Sequence, residues 1–540
     1  MKKDHDGTAY DYVIVGSGAA GSVLAERLSR DPTVSVALLE AGGSDRSLLH
    51  LVPKGVRFAM SNDRFTKSYV TEPYGEGKTD TWHRGQIIGG STTINGMVWN
   101  RGWAPQYDAL EEAGNEGLNW DRFLAAFKAL EDHEFGESAT RGRGGPVRIS
   151  VARPREPVAD TFIETLTKHG AAHLDDVNSA GGQRVGYVLS NIKRGTRVSA
   201  ARAHLRNALR RRNLTLLTQT EADRITFEGT RATGVEATRQ GRPIGVIARR
   251  EVLVCGGGLE SPLLLERSGI GDPAVLDAAG VPVLVASPNV GENMREHRSI
   301  MFRLRLKGQV GYNHQVDSTL KQAWAGFKYL FTRTGVISFA GYNVVALYKS
   351  LPGETDSDEP DTQGFFTPLS VSGVTAGRPV VDKASGAMFL TYPLYPTSTG
   401  SIHITGPGTT DKPCIHTGYL STDYDRAITI GMVEKAREIL ATPPFADLIE
   451  GLTEPPDFTS NAEILDYALH EGGIGYHTLG TCAIGPGADD VLDSHLRVRG
   501  TSRLRVVDAS AFPSMPSGNN NAPTQALAWI AADLILREAT

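Results

Sequence analysis

Cysteine is scarce in this chain. Its three copies among 540 residues, Cys255, Cys414 and Cys482, lie far apart and form no C-x-x-C pair. That excludes a disulfide framework and fits a reducing compartment. Long apolar runs are missing as well: no stretch of 18 or more apolar residues offers a membrane span. The N-terminus, MKKDHDGTAYDYVIVGSG, has no signal-peptide core before the first strand pattern. A soluble cytoplasmic protein is the expectation, and the sequon at Asn213 carries no weight. Excess charge of one sign is absent too. Lys and Arg number 56 against 61 Asp and Glu, a net charge of −5, which leaves no electrostatic footprint for nucleic acid. The basic run LRNALRRRN at residues 205–213 reads as a solvated helix face. No internal repeat and no metal-ligand set is evident.

Glycine is abundant, with 60 copies, and it clusters at turns. The length exceeds what one simple core holds, so two or more structural domains are expected. The first informative unit is YDYVIVGSGAAGSVLAERLSRDPTVSVALLEAGG. It reads as a buried strand at 11–15, a turn, a helix to about residue 30, and a second strand at 34–39. Gly16, Gly18 and Gly21 form G-x-G-x-x-G, and Glu40 closes the second strand. Gly16 allows the tight turn, Gly18 admits a pyrophosphate, and Gly21 lets helix and strand pack closely. The helix N-terminus supplies amide donors for phosphate, and Glu40 can accept from ribose hydroxyls. This unit predicts dinucleotide binding without separating FAD from NAD. A second glycine-rich stretch, TWHRGQIIGGSTTINGMVWNRG at 81–102, places Arg84 near Gly89, Gly90 and the hydroxyls of Ser91, Thr92 and Thr93. It reads either as a second phosphate grip or as a plain Gly/Ser loop.

That stretch resembles the first signature of the glucose–methanol–choline (GMC) family of FAD oxidoreductases. So do RVSAARAHL (197–205), REVLVCGGGLESPLLLERSGIGD (250–272), PNVGENMREH (288–297) and RLRVVDASAFPSMPSGNNNAPT (503–524), in family order. The resemblance implies an α/β fold: a Rossmann-type FAD domain at about 8–150, 198–300 and 471–540, and a substrate domain at 151–197 and 301–470 with an antiparallel sheet and helices. It also implies that Gly90, Ser91, Asn95, Gly96 and Met97 lie against flavin and diphosphate, that the Ala222 backbone meets adenine, and that Asp508 and Ala509 sit near the ribityl and diphosphate. Read without the family, Asp508 is a strand-end cap. Two departures stand out. Gln86 occupies a position that is usually lysine, and Ile94 stands where some members carry a histidine bonded to the flavin, so noncovalent FAD is expected.

His477, in GGIGYHTLGTCAIG, is similar to the family histidine that faces flavin N5. An imidazole titrating near neutrality suits the base that takes the hydroxyl proton while hydride leaves the carbinol carbon. The resemblance makes Asn519 its partner, donating to the substrate oxygen. From Pro523, Ala526, Ile530 and Leu534 recur at helical spacing beside Leu527, Ala531 and Ile535, predicting an amphipathic helix. Asn521 is expected as its N-cap, with the helix dipole toward the flavin pyrimidine, and Asn520 as loop. Met97, Val98, Trp99 and Trp82 read as pocket lining or as core. LPGETDSDEPDTQG (351–364) is a candidate surface loop. The expected activity is oxidation of a primary alcohol, aryl or furanic, to the aldehyde, with O2 or a quinone-type compound as electron acceptor. A choline or aliphatic alcohol dehydrogenase is the near alternative. A flavin-containing hydroxynitrile lyase and a noncatalytic flavin-binding protein are the alternatives of other classes.

Overall fold

The computed structural model describes residues 6–60, 62–153, 155–351, 359–375 and 378–539. Two sheets organise the chain. The first has seven strands, with Thr8–Val15 and Val36–Glu40 side by side and parallel, flanked by Leu214–Thr218 and Arg242–Val254. Val36–Glu40 is buried at every position. A parallel strand covered on both faces has no solvent side, which is why VALLE shows no alternation. The long strand Arg242–Val254 divides its outer edge. Its first half pairs antiparallel with Arg231–Arg239, while Val252–Val254 pair in parallel with Leu504–Val506. The C-terminal segment thereby returns to the strand ends where the first glycine turn lies.

The second sheet has eight strands and is almost wholly antiparallel. Its central order runs Ile449–Glu454, Arg298–Leu306, Gly386–Pro393, Thr362–Thr367, Val344–Tyr348 and Arg184–Tyr187. Phe162, Phe366, Phe389 and Phe445 pack one face of it, with Phe162 and Phe366 stacked at 4.2 Å. Of the predicted surface loop at 351–364, residues 352–358 lie outside the described residues. Its end is not loop: Thr362–Gly364 belong to a buried central strand. A polar stretch enters the sheet because Gln363 has hydrogen-bond partners inside.

The final helix, Asn521–Glu538, packs against Ala19–Leu28 and Trp120–Leu130. Its first two turns are buried all round, from Ala522 through Ala528, so the expected amphipathic stripe holds only toward the C-terminal end. The alanines at 522, 526 and 528 permit this enclosure, since small side chains let helices approach from several sides. Among the described residues no helix is long and apolar enough to cross a membrane.

Candidate active site

A cavity of about 1080 Å³ is lined by residues from both sheets. All the residues expected to hold flavin or to act on substrate line it, except Gly21. Gly21 acts beneath the turn: a Cβ there would stand 1.9 Å from the Gly16 carbonyl oxygen. Gly16 itself has φ +97°, and its Cβ would lie 2.4 Å from the Cys255 oxygen. Gly18 differs, because a Cβ there meets nothing within 4 Å, leaving room against the backbone for a ligand. Gly21→Ala is therefore expected to force helix and turn apart, and the purified variant should hold little flavin by its absorbance relative to protein.

Glu40 is buried, and one of its oxygens accepts from the Ser17 N–H at 3.1 Å and Oγ at 2.5 Å, the other from the Gly42 N–H at 2.8 Å. Burial, opposed by those bonds, raises its carboxyl above the usual range. Asp508 accepts from the Gly257 N–H and Ser261 Oγ with one oxygen, and from the Ser510 N–H and Oγ with the other. The strand-end cap reading of Asp508 thus holds, with the side chain also bordering the cavity. At Ala222 the ladder with Arg231–Arg239 shifts register before Arg224, a bulge at the position expected to meet adenine.

The second glycine loop is stapled by Arg197, which sequence reasoning did not single out. This fully buried guanidinium donates to the Asn95 carbonyl at 2.6 Å and to Asn95 Oδ1 at 2.8 Å, and burial pushes its pKa down to about 9. Asn95 Oδ1 also accepts from the Met97 N–H, which helps hold Met97 at φ +63°. Arg84 has protein partners of its own. It borders the cavity, but its guanidinium bonds Thr478 Oγ1 and lies 3.5 Å from Glu296. It therefore ties the second glycine loop to the His477 segment. Met97 and Val98 line the cavity, whereas Trp99 and Trp82 do not. Trp99 is core and donates to Glu131 at 2.7 Å; Trp82 is fully buried in a separate cluster.

His477 sits where four chain segments meet. Its backbone N–H donates to Glu296 Oε1 at 2.7 Å, and its carbonyl accepts from Asn520 Nδ2 at 2.9 Å. Asn520, expected to be loop, therefore clamps the histidine backbone. Asn521 does not cap the final helix through its side chain. The helix begins at Asn521, residue 520 holds the cap position without a side-chain cap bond, and Asn521 Oδ1 accepts from Gln525. The Asn521 amide nitrogen is buried without a partner beside the cavity.

The hydrogen-bond pattern fixes the tautomer of His477. His297 Nε2 lies 3.2 Å from the Leu394 carbonyl oxygen, which can only accept, so Nε2 carries the hydrogen. Burial pushes His297 down to about 4; it is neutral, and its Nδ1 holds a lone pair. His477 Nδ1, 2.8 Å away, must donate to it. His477 Nε2 is then unprotonated and faces Asn519 Nδ2 at 2.9 Å. A second chain arrives from the other side with the same polarity. The Gly102 N–H donates to Asn100 Oδ1, Asn100 Nδ2 to Gln363 Oε1 at 3.4 Å, and Gln363 Nε2 to Asn519 Oδ1 at 3.3 Å. Burial, then His297, then the Arg84 charge hold the His477 pKa well below the usual imidazole range. Donor atoms of Glu296, His297 and His477 lie within 4.8 Å of one another, but the two facing imidazole nitrogens are spent on their mutual bond. His297 and Glu296 lie in PNVGENMREH, so the signal was in a quoted motif. Gln363 gave none.

The residues present fit FAD: an open backbone face at Gly18, and a second loop touching the first where a Gly90 Cβ would stand 2.9 Å from the Gly18 Cα. The GMC oxidoreductase N-terminal model matches residues 10–299 and the C-terminal model residues 396–528. The chain is 35% identical over 539 residues to an oxygen-dependent choline dehydrogenase of Chromohalobacter salexigens, covering 98% of this chain and 95% of that one. It is 35% identical over 538 residues to the mitochondrial choline dehydrogenase of Homo sapiens, covering 97% and 89%. Among solved structures, pyridoxine 4-oxidase from Mesorbium loti superposes with TM-score 0.86 at 30% identity, covering 97% and 98%. A fungal aryl-alcohol oxidase superposes at 0.81 and 22% identity, covering 99% and 100%, a likeness of fold. The chain belongs to the GMC oxidoreductase family, as an FAD-dependent oxidoreductase of alcohols.

Proposed function

We propose that this enzyme oxidises a primary alcohol carried on an uncharged aromatic body, aryl or furanic, with His477 as base. Bound FAD supplies the hydride acceptor. The observation that carries the reading is the unprotonated Nε2 of His477, bordering a cavity with an aromatic wall. Tyr342 and Phe365 stack there at 4.9 Å, and Tyr392 lies 6.2 Å from Phe365. Nε2 takes the hydroxyl proton. Once protonated it can no longer accept from Asn519 Nδ2, since both would be donors. The substrate oxygen lying between them then accepts from both, and the developing negative charge is stabilised by groups already in place. The Asn519–His477 contact must open to admit that oxygen, but neither the imidazole tautomer nor the amide orientation has to change, because both relays end on backbone groups of fixed polarity.

Four carboxylates line the cavity, and each is engaged on the nucleotide side: Glu40 at Ser17, Glu221 and Glu260 at Lys67, and Asp508 at Gly257. Among the described residues, the antiparallel sheet and the helix Thr319–Thr332 add none. A quaternary ammonium substrate would thus rest on aromatic faces without an ion pair. Choline is the second reading, favoured by the names of the relatives above. Anaerobic mixing decides between them. Furfuryl or benzyl alcohol should bleach the flavin band at concentrations where choline does not. Bleaching by choline alone would reverse the assignment, and an unchanged band with conversion of a cyanohydrin would make the protein a lyase. Readmitting air, or adding a quinone, then identifies the electron acceptor. Ile94 offers no nucleophile, so acid precipitation should leave the flavin in the supernatant and the pellet colourless.

A further inference from the structure

The helix Thr319–Thr332 shows its apolar side to water. Leu320, Trp324, Phe327, Leu330 and Phe331 are exposed by 85, 66, 52, 52 and 75%. Trp324 stacks on Phe327 at 5.6 Å, and Phe327 meets Phe331 at 4.7 Å, so the rings make one continuous strip. Single exposed apolar residues are ordinary, but a contiguous strip marks an interaction surface. The helix is anchored from beneath by Tyr329, whose hydroxyl donates to the Gly195 carbonyl at 2.9 Å. Its charges have one sign. Lys321 and Lys328 lie on it and Arg333 ends it, with no acid from residue 318 to 335; Asp317, just before, pairs with Lys321 at 2.8 Å.

Gly195, which receives Tyr329, belongs to a turn that also borders a second cleft of about 510 Å³. Lys193, Arg197, Arg202, Arg206 and Arg210 line this cleft, and no carboxylate does. Arg197 is committed to the Asn95 loop, and Arg202 feels the charge of Asp45. The exposed cations Lys193, Arg206 and Arg210 remain. Gathered charges of one sign repel, and an anionic ligand relieves the repulsion.

We propose that this face docks on an anionic phospholipid bilayer, with the aromatic strip in the headgroup–acyl boundary and the basic cleft on lipid phosphates. Tryptophan, phenylalanine and leucine on one side with lysine beside them is the composition of an interfacial helix, and the adjacent basic cluster adds attraction to acidic lipid. A second copy of the chain fits worse, because a twofold contact sets a patch against itself and would oppose Lys321, Lys328 and Arg333 to their own images. The same helix carries Gln322 and Ala325 in the cavity wall, so docking would bring that wall to the lipid surface. The proposal stands whichever alcohol is oxidised.

The test is co-sedimentation of the full-length holoenzyme with phosphatidylcholine vesicles, with and without phosphatidylglycerol. Binding is expected only with phosphatidylglycerol, weakening in high salt. Trp324→Ser with Phe327→Ser, and separately Arg206→Glu with Arg210→Glu, should each weaken it by more than about tenfold while flavin content and alcohol-driven bleaching persist. Quenching of the native tryptophan fluorescence by brominated acyl chains reads the same insertion without any variant. No association with either vesicle would overturn the proposal. So would equal binding to phosphatidylcholine alone, or a dimer in sedimentation velocity that Trp324→Ser converts to monomer.

Discussion

His477→Ala is expected to slow alcohol-driven flavin reduction by on the order of 10³-fold, within the range that a positioned general base supplies, while flavin stays bound. Hydride cannot leave an alcohol readily unless its hydroxyl proton departs, and His477 Nε2 is the unprotonated nitrogen that faces Asn519 Nδ2. Rapid mixing under anaerobic conditions measures the step directly, and the flavin spectrum of the resting variant shows that the fold is intact. A variant that reduces its flavin at the native rate would remove His477 from the chemistry. In the native enzyme the base must be unprotonated, so activity is lost only as pH falls through its pKa. Burial, His297 and Arg84 hold that pKa well below 6.5. The profile of kcat/KM should therefore stay level through neutrality, with its acid limb below the usual imidazole range. Arg84→Gln removes a neighbouring positive charge and should move that limb to higher pH.

His297→Leu carries the second large effect. His297 touches neither substrate nor flavin in this reading; it is a positioning residue that makes His477 keep its hydrogen on Nδ1. Leucine leaves that N–H without an acceptor, and the ring is free to place the hydrogen on Nε2, where it cannot act as base. A fall in kcat of about a hundredfold is expected, with KM little changed, since a general base contributes roughly 10²–10⁴-fold. His297→Asn keeps an oxygen near the Nδ1 position and should recover most of the rate. A merely structural role would leave the two variants alike, and stopped-flow reduction at several pH values separates the outcomes.

The dinucleotide turn was legible because its geometry is local. Gly16, Gly18 and Gly21 sit within six residues of one another, and the constraints on Gly16 and Gly21 come from backbone a few positions away or from the end of the adjoining strand. The pairing of His477 with Asn519 came from the family resemblance; their contact at 2.9 Å is a fact of the folded chain. Asn520 and Asn521 show the limit. Adjacent amides before a helix look like a cap and a filler. The cap geometry falls one residue earlier than expected, the filler reaches back 43 positions to hold a carbonyl, and the presumed cap instead accepts from Gln525 within the helix.

By itself the sequence determined the nucleotide-binding turn, which rests on glycine sterics at fixed spacing, and the family, which rests on motifs in order along the chain; the choice of His477 among the histidines came from the family resemblance. Only the tertiary structure decided which nitrogen of His477 is free, since that depends on a carbonyl at 394 and an amide at 363, each more than 80 residues away. It also decided that Trp82 and Trp99 are core and that Arg84 bonds Thr478, next to His477. Long-range hydrogen bonds leave no periodicity in a chain. They exist once packing brings donor and acceptor together and excludes the water that would otherwise satisfy them.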